Sequence, residues 1–182
     1  MKHADRASST RARITEAAAR LHEANPGDEF HAVTISDVCR EADIARPTFY
    51  RYFDSVDALT AAGAAEQILT RLDARAGDAA GRLLDTLQND EILRQAIMHG
   101  GVETRRAAVD SLTEKLVEDY GIAPDDPAAV LRARYAAAGV IEVFLTWFSP
   151  DTHPGIDGDQ AADLATTATR AVLGRDKTSR RK

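Results

Sequence analysis

Apolar residues recur along this chain at spacings of three and four, the period of a helix, and almost nowhere in the alternation of a strand. Ile14, Ala17, Ala18 and Leu21 share one face of a helix expected from about Ser9 to Ala24. NPGDEF (25–30) breaks it with Asn, Pro and Gly. Thr34 then opens a short second helix through TISD, a Thr-x-x-Asp form of the capping box, with Ile35 and Val38 turned inward and Ala42 closing it. After Asp43 and Ile44 a third short helix is expected over 45–53. A fourth starts behind Asp54 or Ser55, both good N-caps, and continues to about Ala76. Further helices are expected near 78–87, 89–99, 102–120, 126–148 and 159–174. Asp126-Pro127 is a cap followed by a first-turn proline, and SPDTHPGIDGD (149–159) is a long polar break. FHAVTI (30–35) is the nearest approach to a strand and is too short to found a sheet. The pattern therefore predicts an all-α chain of about nine helices. It has a compact head (1–53), a larger helical body (54–175) and a basic tail (176–182) expected to be disordered.

Composition narrows the class. The 182 residues suit one medium domain or a small domain fused to a larger one, and the many alanines favour helix. No run of about 18 apolar residues is present, so no transmembrane helix is expected. MKHADRASST lacks the apolar segment of a secretory signal, and a single cysteine, Cys39, rules out an internal disulfide; a cytoplasmic protein is the expectation.

The net charge of −6 taken alone argues weakly against a nucleic-acid partner, but the distribution matters more. Residues 1–13 carry Lys2, Arg6, Arg11 and Arg13 against Asp5 alone. RDKTSRRK at the far end carries Arg175, Lys177, Arg180, Arg181 and Lys182 against Asp176. Most acids lie between about 54 and 163.

Aromatic residues are scarce, yet four of the ten fall in RPTFYRYFDS (46–55). On a helix Phe49 and Phe53 lie one turn apart and face the apolar side of the first two helices, as a small three-helix unit with little area to bury requires. Tyr50 and Tyr52 lie off that face. With Arg46, Pro47, Thr48 and Arg51 they form a surface of guanidinium, hydroxyl and flat rings with no carboxylate before Asp54. Such groups are the usual donors to DNA phosphates, and arginine also reads guanine. Two short helices joined by Ala42-Asp43-Ile44 match a helix-turn-helix, with a left-handed backbone expected at Asp43, which aspartate tolerates. On periodicity alone, all four rings could instead be internal.

TRARITEAAARLHEAN followed by TISDVCREADIARPTFYRYFDSVDAL resembles the N-terminal domain of the TetR (tetracycline-repressor) family of bacterial transcription regulators, over about residues 10–59. The resemblance implies a nine-helix fold whose first three helices bind DNA and whose C-terminal body binds a small effector and forms a homodimer. By position, Arg46, Pro47 and Thr48 would face base edges and nearby phosphates, Tyr50 and Tyr52 would hold phosphates, and Thr34 would reach another. The partners implied are a double-stranded DNA operator, a second copy of the chain and an unidentified small-molecule effector, with repression the commoner outcome. Three features depart from the family's pattern: Asp43 where glycine is usual, Val56 where lysine is frequent, and a longer NPGDEFHAV segment that adds Asp28 and Glu29. Residues 1–60 hold eight Lys/Arg against ten Asp/Glu. A helical ligand-binding protein of the same fold with weak or lost DNA binding is the alternative.

In the body, VLRARYAAAGVIEVFLTWF (130–148) is apolar nearly all round, and the next helix carries one apolar stripe. A pair of this kind can bury its remaining surface against a copy of itself, as the resemblance also implies. The expected dimer interface comprises Ala137, Ile141, Phe144, Leu145, Phe148, Leu164, Ala168 and Val172. A monomeric body with these residues internal is the alternative. Polar groups beside apolar neighbours make Gln67, Arg94, His99, Glu103, Arg106 and Trp147 the candidate effector contacts, with Met98 as a flexible wall and His99-Gly100-Gly101 as rim or hinge. No Gly-x-Ser-x-Gly elbow, phosphate-cradling Gly-Lys-Ser/Thr loop or His-Glu-x-x-His motif occurs, and His22-Glu23 has no second histidine one turn away. No enzyme activity, metal or cofactor is expected.

Overall fold

The computed structural model describes residues 2–24, 33–73 and 78–174, with side chains from Thr10 onward. Nine helices lie among the described residues: α1 (Lys2–Glu23), α2 (Ile35–Glu41), α3 (Arg46–Tyr50), α4 (Val56–Asp73), α5 (Ala79–Asn89), α6 (Glu91–His99), α7 (Val102–Asp119), α8 (Pro127–Phe148) and α9 (Gly158–Leu173). No strand occurs among the described residues. The all-α expectation holds. Helix α1 begins at Lys2, seven residues before the expected start at Ser9, because no Pro or Gly interrupts KHADRASS. Helix α3 is shorter than expected: Arg51 caps it and Tyr52 lies in a turn, although the Phe53 N–H still donates to the Phe49 carbonyl at 3.0 Å. The basic tail 176–182, and Asp28 and Glu29, lie outside the described residues.

The head has its own core of Ile14, Ala17, Ala18, Val38, Cys39, Ala42, Phe49 and Phe53. Leu59 of α4 joins it and Ala62 packs against it, so the head closes on the first turns of α4, past the boundary at 53. With so few residues, each large one counts: full burial of a side chain such as Phe49 or Ile14 stabilises by about 1.5–3 kcal/mol. Arg13 reaches from α1 to the end of α2 and donates to the Ala42 carbonyl at 2.6 Å, fixing the turn. Asp43 in that turn sits at φ 50°, the left-handed conformation expected there. Asp43→Gly is expected to raise stability by about 0.5–1 kcal/mol by relieving the strained backbone. Chemical denaturation of the two proteins checks it; an unchanged or lower midpoint would contradict the account.

The body is a second, larger core drawn from α4 to α9. It centres on Ile68, Leu72, Leu83, Leu84, Leu87, Ile97, Leu112, Leu116, Val140 and Phe144. Helix α4 packs along α7, α7 along α8, and α9 against both α5 and α8. Thus α4 belongs to both units: its start completes the head and its remainder lies in the body. One side chain locks this junction. Asp57, in the first turn of α4, accepts from the N–H groups of Gly101 (3.0 Å), Glu103 (3.1 Å) and Thr104 (3.3 Å) and from the Thr104 hydroxyl (2.6 Å). It serves as the N-cap that α7 lacks in its own sequence, where Gly101 occupies the cap position. The contact is close enough that a Cβ on Gly101 would collide with the Asp57 carboxylate.

Candidate nucleic-acid interface

The capping box written as TISD forms as expected. The Thr34 N–H donates to Asp37 Oδ2 and the Asp37 N–H donates to Thr34 Oγ1, both at 3.2 Å. The Thr34 hydroxyl also donates to Asp37 Oδ2 at 2.5 Å, and Arg40 donates to Asp37 Oδ1 at 2.7 Å. The Thr34 hydroxyl and N–H, with a smaller contribution from Arg40, hold the Asp37 carboxyl below its ordinary range. In this arrangement Thr34 gives its one hydroxyl proton to Asp37. It could donate to a phosphate only by turning away from that carboxylate.

The turn after α2 then presents α3 with its two faces sharply divided. Phe49 is fully buried and Phe53 is 4% exposed, whereas Tyr50, between them in sequence, is 51% exposed. Arg46, Pro47 and Arg51 are exposed with it, and Thr48 is half-buried. Tyr52 is divided: its ring lies against the head core, and it remains half-buried. Of the seven residues expected to meet DNA, the structure therefore gathers Arg46, Pro47, Thr48, Tyr50 and Arg51 on or beside one outward face, with Tyr52 at its edge. Arg46 and Arg51 make no ion pair with any described residue. The other head arginines differ: Arg13 holds the Ala42 carbonyl, Arg20 pairs with Glu41 at 2.8 Å, Arg40 pairs with Asp37, and Arg11 lies over the Phe53 ring. Two guanidinium groups without an ion pair among the described residues, flanking an exposed tyrosine, can meet phosphate and base edges. Val56 is half-buried at the start of α4 and adds no charge there.

The candidate effector residues are scattered. Arg94 donates to the Leu87 and Gln88 carbonyls at the end of α5, pairs with Glu91 and lies over the Phe148 ring. Trp147 donates from Nε1 to the Ile156 carbonyl at 2.9 Å, pinning the segment before α9. Met98 packs against the body core, while His99, Glu103 and Arg106 are exposed. His99-Gly100-Gly101 forms the α6–α7 junction that Asp57 holds. Gln67 alone among them lines a cleft of about 430 Å³, bounded by α1, α4 and α6. Its walls include Thr15, Glu16 and His22 from α1, Thr60, Gly63, Glu66 and Thr70 from α4, and Ile92 and Ala96 from α6. Burial holds the His22 pKa below its ordinary value.

The expected dimer residues fall into two groups. Ala137, Ile141 and Phe144 are buried in the chain's own core, and Leu145, Phe148 and Val172 are half-buried against it. Leu164, 52% exposed, and Ala168 face outward on α9. The outward face of α8 is a different stripe: Leu131 (66% exposed), Tyr135 (72% exposed), Ala138 and Gly139. An apolar pattern marks which positions are buried, not which partner buries them, and the stripe richest in large residues faces the chain's own core.

Among the described residues no group of three or more His, Cys, Asp or Glu side chains is arranged to hold a metal ion, and no helix is long and apolar enough to cross a membrane. Cys39 is buried in the head core.

Comparison with known proteins adds two findings. The family model described as bacterial regulatory proteins, tetR family, matches residues 14–62, which span most of α1, all of α2 and α3 and the start of α4. Over 90% of this chain and 95% of the other, the fold is similar to the crystal structure of AlkX, a TetR family repressor from Dietzia sp. strain DQ12-45-1b implicated in biodegradation of n-alkanes; the TM-score is 0.54 and the sequences are 22% identical. No curated protein matches the sequence.

Proposed function

We propose that the chain, whose residues 14–62 match the model of the tetR family of bacterial regulatory proteins, is a DNA-binding regulator of transcription, a homodimeric repressor released from a near-palindromic operator by a small-molecule effector. The observation that carries DNA reading is the outward face of α3. Arg46 and Arg51 make no ion pair there with any described residue, Tyr50 is half exposed, and the neighbouring phenylalanines anchor the helix from beneath. The uncovered stripes of α8 and α9 support self-association, since large apolar residues rarely stand exposed together on a monomer. Two heads brought together in this way would read half-sites about 34 Å apart on one face of the duplex. The neighbour AlkX is described as a repressor, and repression is the outcome proposed here.

Two substitutions test the reading face. Tyr50→Phe removes one phosphate-facing hydroxyl and is expected to weaken binding to every duplex by about 1 kcal/mol. Arg46→Ala is expected to cost about 1–3 kcal/mol at its cognate base pair and to relax selectivity there. Fluorescence anisotropy against a set of single-base operator variants separates the two effects. If both variants bound every duplex as the wild type does, α3 would not be the reader.

A further inference from the structure

The cleft of about 430 Å³ lies between a head helix, α1, and two body helices, α4 and α6. Its volume falls in the range of pockets that enclose drug-sized molecules, roughly 300–1,000 Å³. Its floor is apolar, formed by Leu59, Ala64, Leu93 and Ala96. Gly63 opens the α4 wall: a Cβ there would meet only the Thr15 methyl, at 3.7 Å. The charged groups on the walls have one sign available. Glu16 and Glu66 make no ion pair with any described residue. The arginines nearest Glu16 along α1 are engaged elsewhere, Arg13 with the Ala42 carbonyl and Arg20 with Glu41. Arg71, the one arginine on the lining, is held by Asp90 at 2.5 Å. Burial disfavours the charged form of His22, so it does not offset the carboxylates near neutral pH.

The geometry points to a lipophilic organic cation as the occupant of this cleft, its charge recognised by Glu16 and Glu66 and its apolar body seated against Leu59, Ala64 and Leu93. An anion of the same shape would meet two uncompensated carboxylates, and a neutral one would gain no charge attraction. Because the cleft is walled by both head and body, its occupant contacts the two units at once. A ligand here therefore has unequal contacts in any two states that differ in how α1 sits against α4 and α6, which is the condition for it to shift them. The inference rests on the reading of the chain as an effector-responsive regulator and supplies the site and ligand class that reading lacks.

Tetraphenylphosphonium and tetraphenylborate share a shape and carry opposite charges. Isothermal titration of the full chain, without DNA, with each ion is the test. The phosphonium is expected to bind once per chain, with the borate at least about tenfold weaker. The double variant Glu16→Gln/Glu66→Gln, altered only at exposed positions, is expected to lose about tenfold in phosphonium affinity at an unchanged Tm. Gly63→Leu, which fills the cleft, should abolish binding. No phosphonium binding, equal binding of both ions, or affinity unchanged in the glutamine variant would each overturn the inference. None of these results bears on DNA binding, whose own failure would appear as a protein that takes the cation but selects no duplex.

Discussion

Gly139→Arg is expected to leave the chain folded, hold it as a monomer and lower its affinity for a two-half-site operator by about a hundredfold or more. Within one chain the substitution meets no obstacle, because a Cβ at Gly139 has nothing within 4 Å and arginine is a better helix former than glycine. Between two chains it places a long cation on the small-residue stripe of α8, where Ala138 and Gly139 stand beside Tyr135. The same residue from each copy would then meet its twin in a two-fold interface, setting like charges together. On the proposed reading a single head would keep its own DNA contacts but lose the gain from holding the second head at the neighbouring half-site. Analytical ultracentrifugation and operator binding on the same sample decide the matter. A variant that sedimented as the wild type does would place the interface elsewhere.

Asp57→Ala is the second large effect, and it acts on stability. The substitution removes the acceptor for three N–H groups at the start of α7 and for the Thr104 hydroxyl, which is buried with its residue. Loss of such a cap costs about 1–2 kcal/mol, or roughly 2–8 °C in Tm for a chain of this size. The pH dependence identifies the cause. Partial burial pushes the Asp57 carboxyl up, but the Thr104 hydroxyl and the N–H groups of Glu103, Gly101 and Thr104 outweigh it and hold its pKa below the ordinary 3.8. A carboxyl with a lowered folded pKa adds stability that is complete above its unfolded pKa and is lost as pH falls through the folded one. The Tm gap between the wild type and Asp57→Asn is therefore expected to be full at pH 6 and to close below about pH 4. A gap independent of pH would mean that the carboxylate's charge is not what holds α7.

These two residues show where sequence reading stops. The helices and the head core were legible because burial imposes its period on the chain, and Phe49, Phe53, Ile14 and Val38 carry that period openly. The turn at Asp43 was legible because few residues adopt a left-handed backbone. Local hydrogen bonding made the Thr34–Asp37 box legible as well, although its consequence, a Thr34 hydroxyl already committed to Asp37, was not. Asp57 lies 44 residues from Gly101, the first N–H it holds, and no spacing rule connects an early α4 carboxylate to the start of α7. The cleft draws on three helices that are not consecutive, so no spacing in the sequence brings Glu16 and Glu66 to one opening; only the packing of α1 against α4 does. On α8 the apolar pattern marked burial, but Ala137, Ile141 and Phe144, expected at a dimer interface, are buried in the chain's own core, and the exposed Leu131, Tyr135 and Gly139 lie outside that main stripe.

The net negative head is the feature most at odds with the proposed DNA binding, and its ion pairs bear on that conflict. Glu41 and Asp37 are paired with Arg20 and Arg40, while Arg46 on α3 and Arg51 at its end make no ion pair with any described residue. Binding should depend on salt, since each neutralised phosphate releases counterions. The most direct measurement is selection of bound fragments from a random duplex pool, with bound and unbound fractions sequenced at two salt concentrations. Enrichment of a near-palindrome with half-sites one helical turn apart, weakened at the higher salt, is the predicted result. No enrichment at either salt would contradict the central claim that the α3 face reads an operator.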